Sequence, residues 1–428
     1  MKFSKWENFL TVLIVTAILS AGTAFALKDK SYSFSAPAGI SAESIKIPSE
    51  DGSGTAPLPQ KLTNPPEIIK SIYVTGYSAG AKTYIKYLAD FLKNTEINSV
   101  VVDIKGSDGY VTYNSSLEDV QKYHLTNYAI PNINAFVQFL HDQNIYVIGR
   151  IAVFEDPVYA KARPELAIYN KSKTTDLSQP VLWKDNNGLS WLDPASKDAW
   201  DYDVALAKDG LSHGFDEINF DYVRFPSDGK TGNMGFPVYD GKIAKPDVIK
   251  TFFHYLRTSL PDEKISADLF GLTTVNTDDM GIGQIIENAF ENFDYVSLMV
   301  YPSHYANGFI GFSNPADHPY EVIKYSMDSA LAKEKAVEKQ RQDLSLKNSE
   351  PFGSPAYLSG SLIQNSLFVP LAKFRPWLQD FNMGAIYTPK MVKDEIKASQ
   401  DALGGTYSGY MLWNPSNIYS GEAVLKAN

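Results

Sequence analysis

Eight strand-like apolar segments alternate with helix-like segments from residue 68 to the C-terminus of this 428-residue chain. Strands that alternate with helices indicate a parallel sheet, and eight such units predict a (β/α)8 TIM barrel with long loops after the strands. A doubly wound open sheet is the alternative, but no glycine-rich phosphate loop follows the first strand. The predicted strands are residues 72–77, 99–105, 146–154, 215–223, 265–270, 295–301, 377–381 and 409–413.

The fourth predicted strand lies in residues 215–226, which read F-D-E-I-N-F-D-Y-V-R-F-P. Side chains alternate between the two faces of a strand, so Glu217, Asn219 and Asp221 share one face. Two carboxylates on one face of a buried strand are costly unless they are paired or open into a site. The segment therefore predicts a catalytic or ligand-binding strand. The alternative is a buried ion network in which Arg224 neutralises Asp221.

The other predicted strands also end in polar or aromatic residues, which a barrel would bring together at one mouth. Asp103 and Lys105 end the second strand and are expected to share a face, and Asp268 is the single charge of the fifth. The alternative is an ordinary structural role: an ion pair for Asp103 or Lys105, a hydrogen bond at the rim for His304, and capping of the barrel for Trp377 and Trp413. The remaining candidates are Glu155 and Asp156 after the third strand, Tyr301 and His304 at the sixth, Trp377 and Gln379 in the seventh, and Trp413 in the eighth.

Several carboxylates beside aromatic and amide side chains suit a neutral polyhydroxylated ligand. Glycoside hydrolysis requires such a pair: one carboxylic acid protonates the leaving oxygen, and the other carboxylate attacks the sugar or activates water. The six histidines have no H-x-H or H-E-x-x-H spacing, and the chain has no cysteine. We therefore predict no catalytic metal and no cofactor, with a Ca²⁺ or Mg²⁺ site on the carboxylates left open. No G-x-S-x-G elbow is present, which argues against a serine hydrolase.

The N-terminus has the pattern of an export signal. Lys2 and Lys5 precede a mostly apolar run over residues 8–27 that includes an A-x-A site at residues 24–26. This predicts a signal peptide over residues 1–27, with an uncleaved signal anchor as the alternative. Residues 28–66 are rich in Ser, Gly and Pro and are predicted to be a flexible linker. The barrel is expected over residues 67–428, with an insertion at about residues 335–372.

This organisation predicts an extracytoplasmic protein, either secreted or anchored to the cell membrane or envelope by its N-terminal segment. The net charge of −10 argues against nucleic acid as a partner, because phosphate binding needs a basic surface. The expected partner is a polysaccharide or oligosaccharide.

Several motifs resemble a bacterial family of glycoside hydrolase TIM-barrel domains that was first catalogued as a domain of unknown function. They are W-L-D-P-A-S-K-D-A-W-D-Y (191–202), the 215–226 segment, A-D-L-F-G (267–271), G-I-G-Q (281–284), L-M-V-Y-P-S-H-Y (298–305), R-P-W-L-Q-D-F (375–381) and M-L-W-N-P-S-N (411–417). The resemblance covers residue 68 to the C-terminus and implies a barrel related to the glycosidase superfamily in an envelope setting. Asp221, Asp268 and Asp156 match its motifs. Two departures are Leu298, where the family pattern has Pro, and a longer segment before Arg375.

The leading hypothesis is an exported glycoside hydrolase with Asp221 as nucleophile or base, Asp268 as general acid and Glu217 in reserve. Arg224 and Asn219 are expected to orient Asp221. The alternatives are a carbohydrate-binding barrel without catalytic activity and a structural envelope protein without a ligand. The predicted substrate-binding residues are Asp103, Lys105, Asp156, Asn219, Arg224, Tyr301, His304, Trp377, Gln379 and Trp413.

Overall fold

Eight parallel strands close into a barrel in the computed structural model, which describes residues 58–347 and 370–426. The strands are β1 (Ile69–Val74), β2 (Ser99–Lys105), β3 (Tyr146–Ala152), β4 (Glu217–Asp221), β5 (Lys264–Phe270), β6 (Tyr295–Met299), β7 (Trp377–Gln379) and β8 (Gly409–Trp413). Closure is complete because β8 pairs with β1 and β7 pairs with both β6 and β8. The predicted TIM barrel is confirmed.

Helices cover the outside of the barrel. In α1 (Lys82–Asn94) the residues Tyr84, Leu88 and Leu92 are buried against the strands, as their helical spacing requires. The Asn132 side chain caps α2 (Ile133–His141) by accepting from the Ala135 amide at 3.0 Å, which satisfies a free N–H of the first turn. The longer helices are α1 (Lys82–Asn94), α2 (Ile133–His141), α3 (Lys197–Ser212), α4 (Lys245–Ser259), α5 (Pro319–Lys347) and α6 (Pro389–Leu403).

Shorter segments occupy the connections between these elements. Short helices are formed by Gly76–Gly80, Glu118–Lys122 and Pro157–Ala162. Two-residue strands Tyr169–Asn170 and Met234–Gly235 pair with each other above the barrel, and Lys373–Phe374 extends the pairing along β6. The long loops after β3 and β4 thus contact each other on the side where the strands end, which is the mouth of the barrel.

The two faces of each strand have different environments. In β2, Val100, Val102 and Ile104 face the helices and join the main apolar core. Side chains at the alternate positions of the strands point into the barrel. They form a smaller apolar cluster that includes Tyr73, Val101, Ile148, Tyr301, Trp377 and Met411. Charged residues share this interior with the apolar cluster, so the barrel centre is not purely hydrophobic.

Residues 58–66, at the end of the predicted linker, contact the barrel. The Leu62 amide donates to the Asp216 carboxylate at 2.7 Å, and Lys61 forms an ion pair with Glu263. Pro59 is buried against Gly214. Contacts with the barrel are therefore already made by residues before position 67, where the barrel domain was predicted to begin.

Two predictions lie largely outside the described residues. The signal segment (1–27) and most of the linker fall in residues 1–57, and part of the predicted insertion falls in residues 348–369. Residues 335–347 continue α5, which packs along α6. No helix within residues 58–347 and 370–426 is long and apolar enough to cross a membrane.

Candidate active site

Two aspartates from different strands meet at the mouth of the barrel around one arginine. Arg150, on β3, donates from Nη1 to Asp103 Oδ1 at 2.7 Å and from Nη2 to Asp221 Oδ2 at 2.5 Å. Its Nε also donates to Asp221 Oδ2 at 3.2 Å. All three residues are buried, so the ion pairs form in a low dielectric where geometry matters most. Arg150 thus fixes the Asp221 carboxylate in place as an ion pair.

The expectation that Arg224 neutralises Asp221 is wrong. The Arg224 guanidinium lies between the rings of Trp191 and Phe270, at 4.8 and 4.7 Å from their centroids. Its Nη1 donates to the Phe225 carbonyl at 3.2 Å and to Ser227 Oγ at 3.1 Å. The strand ends at Asp221 and the next residue has a φ of 53°, so the alternation of faces does not continue to Arg224.

Asp268 lies near the end of β5, and both of its hydrogen-bond donors contact the same carboxylate oxygen. Asn219 Nδ2 and Trp377 Nε1 both donate to Oδ1, each at 2.8 Å. Burial raises the pKa of Asp268 well above its usual value, and the negative charge of Asp221 raises it further. This shift favours the protonated form of Asp268, which is the state that a general acid requires.

Glu217 belongs to a hydrogen-bonded chain below the mouth. Arg375 donates to both Glu217 oxygens, and Ser266 Oγ donates to Oε1 at 2.6 Å. Asn219 Nδ2 donates in turn to Ser266 Oγ at 3.1 Å. Because Glu217 is fully buried and fully paired, its position supports a role in orienting Asn219 and, through it, Asp268. Asn219 was expected to orient Asp221, but its amide nitrogen donates to Ser266 and Asp268 instead.

Asp103 and Lys105 do not share a face, contrary to the sequence prediction. The pairing of β2 with β3 shifts register between them, so that Asp103 points into the barrel and Lys105 points toward the helices. Lys105 Nζ donates to Asp156 at 2.7 Å and to Asp203, on α3, at 2.9 Å. Lys105, Asp156 and Asp203 are all fully buried. This geometry gives no support to Lys105 or Asp156 as ligands for a substrate.

Aromatic side chains form one wall of the mouth. Tyr73 stacks on Trp413 with ring centroids 4.1 Å apart, and Trp377 meets Trp413 edge to face at 5.6 Å. The Tyr73 hydroxyl donates to Asp103 Oδ2 at 2.6 Å. Trp413 is partly exposed, whereas Trp377 and Tyr301 are buried. Trp413 is therefore the best placed of the three predicted stacking residues to contact a ligand.

His304 and Gln379 brace the loops beside this wall. Gln379 is fully buried, donates to the Phe381 carbonyl at 2.9 Å and accepts from the Ser303 amide at 3.2 Å. Burial lowers the pKa of His304 to about 3, so the imidazole is neutral. Its ring packs edge to face on Tyr301 at 4.9 Å. Both residues lie near the mouth, but Gln379 uses its amide to hold the backbone.

Three residues at the mouth were missed as site residues from the sequence. Tyr73 and Arg150 occupy alternate positions of the first and third predicted strands whose side chains point into the barrel. This alternation was the signal by which the sequence could have identified them. Glu155 was noted at the rim but given no role. Burial raises the pKa of Glu155 well above its usual value, with the charge of Asp185 next in size, while Arg224 opposes the rise. Glu155 is thus a second carboxyl, within electrostatic reach of Asp221, whose protonated form is favoured by burial.

The part of the chain that the structure describes contains no cluster of side chains suited to bind a metal ion. No group of three or more His, Asp or Glu side chains there could hold an ion. The carboxylates at the mouth are instead paired with Arg150, Asn219 and Trp377, as described above.

Comparison with known proteins identifies the chain. The family described as "Putative glycosyl hydrolase domain" matches residues 71–351 and 356–419. The chain belongs to this family. The resemblance inferred from the sequence motifs is therefore confirmed, and the class of enzyme that the family description and the barrel support is a glycoside hydrolase. No curated protein sequence matches the chain.

Several solved structures are similar to this chain, and the first one below supports the fold. The PgaB (BpsB) glycoside hydrolase domain from Bordetella bronchiseptica has 14% identity and a TM-score of 0.52 over 81% of this chain and 94% of that one. A hypothetical protein from Ruminiclostridium thermocellum has 38% identity over 46% of this chain and 96% of its own, with a TM-score of 0.42. The α-galactosidase TtGalA from Thermus thermophilus has 12% identity over 85% of this chain and 61% of its own, with a TM-score of 0.44.

Proposed function

We propose that this protein hydrolyses glycosidic bonds in a cell-wall or extracellular polysaccharide by paired-carboxylate catalysis. The observation that carries the proposal is the contrast between two neighbouring aspartates. Asp221 is ion-paired with Arg150, whereas burial and the Asp221 charge raise the pKa of Asp268 well above its usual value. An ion-paired carboxylate beside a carboxyl group whose protonated form is favoured is the arrangement that glycoside hydrolysis uses.

In this mechanism Asp268 protonates the glycosidic oxygen as the bond breaks. The Asn219 and Trp377 donors hold Oδ1, which leaves Oδ2 to present the proton to the leaving group. The Asp221 carboxylate attacks the anomeric carbon or deprotonates the water that does so. Trp413, stacked on Tyr73, would support a sugar ring beside the reacting bond. A location outside the cytoplasm is part of the proposal and rests on the export pattern of residues 1–27.

A screen of polysaccharides, scoring binding and reducing-end release together, tests the proposal. Release by the wild type is expected to fall at least about 10³-fold in Asp221→Asn, because the reacting carboxylate is lost. Asp262→Asn is a matched control, since Asp262 is exposed in the loop before β5, on the opposite end of the barrel. Circular dichroism establishes that each variant is folded.

The same screen separates the alternative function. Binding without release, equal in the wild type and in Asp221→Asn, would support a carbohydrate-binding barrel without catalytic activity. An absence of both binding and release across the panel would contradict both functions.

A further inference from the structure

A group of polar and aromatic side chains lies on the rim beside β1 and β2, outside the residues assigned to the catalytic pair. We call it the rim cluster, and it comprises Tyr77, Asp108, Tyr110, Asn127 and Tyr128. Tyr77 and Tyr128 expose 61% and 60% of their surface, more than any other tyrosine within residues 58–347 and 370–426. Single exposed aromatics are common on protein surfaces, so exposure alone assigns nothing.

Hydrogen bonds hold the rim cluster together across two loops. Asn127 Nδ2, in the loop after β2, donates to the Tyr77 hydroxyl at 3.3 Å, in the helical turn after β1. The Tyr110 amide donates to Asp108 Oδ1 at 3.1 Å. Partial burial, followed by the charge of Asp108, raises the pKa of the Tyr77 phenol, so these two side chains lie within electrostatic reach of each other. The two loops therefore present one connected surface.

The backbone at Tyr128 supports a functional reading of that surface. Its φ is +55°, a left-handed conformation that costs free energy for a bulky aromatic residue. The neighbouring Asn127 side chain stabilises the turn by accepting from the Ala129 amide at 3.0 Å. The strained turn leaves the Tyr128 ring exposed to solvent.

The rim cluster is continuous with the catalytic mouth. A Cβ added at Gly106 would lie 3.0 Å from Asp108 Oδ1 and 3.8 Å from Asp103 Oδ2, so both carboxylates border the same glycine. Asp103 is in turn bonded to Arg150, which holds Asp221. Asp108, a member of the rim cluster, thus lies close to the residues that hold the proposed nucleophile or base.

We propose that the rim cluster is a sugar-binding subsite that receives a unit of the substrate chain away from the bond that is cleaved. Tyrosine rings offer a flat apolar surface to the C–H face of a sugar, while Asp108 and Asn127 supply hydrogen-bonding groups for its hydroxyls. The inference rests on the proposed function and narrows it, because such a subsite is useful only to an enzyme whose substrate is a chain of several units. Binding energy gained at a remote subsite can then support the reaction at the mouth.

The test measures how strongly the full-length protein prefers long chains to short ones. The probes are cello-, chito- and α-galacto-oligosaccharides of two and of six units, and the quantity measured is the ratio of kcat/KM on the longer to the shorter chain. Tyr77→Ala and Tyr128→Ala are each expected to lower this ratio by about tenfold, which is about 1.4 kcal/mol of lost binding. Tyr128→Phe keeps the ring and is expected to restore most of the preference.

Tyr325→Ala is the matched control, because Tyr325 is an exposed tyrosine on the outer helix α5 and does not belong to the rim cluster. Its ratio should equal that of the wild type. Ratios within twofold of the wild type in both rim variants would overturn the subsite, even while Asp221-dependent release stands. If the wild type binds six-unit chains without cleaving them, hydrolysis fails, and the subsite is judged by whether the rim variants weaken Kd about tenfold. If the wild type neither binds nor cleaves any of these oligosaccharides, both the hydrolase function and the subsite are overturned.

Discussion

Arg150→Met removes the cation that holds two buried carboxylates at the mouth of the barrel. The methionine side chain keeps most of the volume, so the main change is electrostatic. Asp103 and Asp221 then lose three hydrogen bonds of 2.5–3.2 Å from the guanidinium, and no cation compensates their two charges. Only 4% of the Arg150 side chain is exposed, so water cannot replace those bonds without a rearrangement.

The expected loss of stability is about 3–5 kcal/mol at pH 7, the usual cost of removing one partner from a buried ion pair. This loss should shrink in acid. Burial already raises the pKa of Asp103 in the wild type, although Arg150 opposes the rise, and loss of Arg150 raises it further. A carboxyl with a folded pKa above its unfolded value binds more protons in the folded state, so stability falls as pH rises between the two values. The variant therefore recovers stability as the pH falls toward 4.

Urea unfolding of the wild type and of Arg150→Met at pH 7 and pH 4.5 gives both free energies. Arg163→Met is the matched control, because Arg163 pairs with two largely exposed carboxylates and its loss should cost less than about 1 kcal/mol. A loss below 1 kcal/mol for Arg150→Met at pH 7 would refute the electrostatic reasoning. A larger loss with no pH dependence would point to packing instead.

Three further variants test other parts of the account. Trp377→Phe removes a donor that lowers the pKa of Asp268, so the basic limb of the pH profile of kcat/KM should move to higher pH; no upward shift would contradict the general-acid role. Lys105→Met leaves two buried carboxylates unpaired and should cost about 3–5 kcal/mol in urea unfolding, whereas a neutral effect would show that they relax. Gly409→Ala would place a Cβ 1.8 Å from a β1 carbonyl oxygen and should destabilise the barrel by about 3 kcal/mol or more. Gly405→Ala, which has nothing within 4 Å, is its control in thermal unfolding.

The barrel could be predicted from the sequence because strand positions depend on local patterns. Segments 99–105 and 409–413 match β2 and β8 at both ends, and the other six predicted strands differ from the observed ones by a few residues at one or both ends. The strand of Glu217, Asn219 and Asp221 was recognised because a polar stripe on a buried strand is costly and therefore conspicuous.

The partners of the site residues could not be predicted, because they depend on the register between strands. Asp221 pairs with Arg150 rather than with Arg224, which is nearer in the sequence. The register of β3 and β4 aligns Ala152 with Asp221, and this places the Arg150 side chain beside the Asp221 carboxylate. The shift between β2 and β3 that turns Lys105 toward the helices has no local sequence signal. Sequence spacing identified the charged residues but not which of them meet.

The central claim is that Asp268 delivers the proton while Asp221 attacks or activates water, and leaving-group dependence tests it most directly. Rates for Asp221→Asn and Asp268→Asn would be compared on an oligosaccharide and on the matching nitrophenyl glycoside, whose leaving group needs little protonation. We expect Asp268→Asn to slow the oligosaccharide by about 10²–10⁴-fold and the nitrophenyl glycoside far less, while Asp221→Asn slows both severely. An equal loss on both substrates for Asp268→Asn, or no cleavage of either by the wild type, would contradict the account.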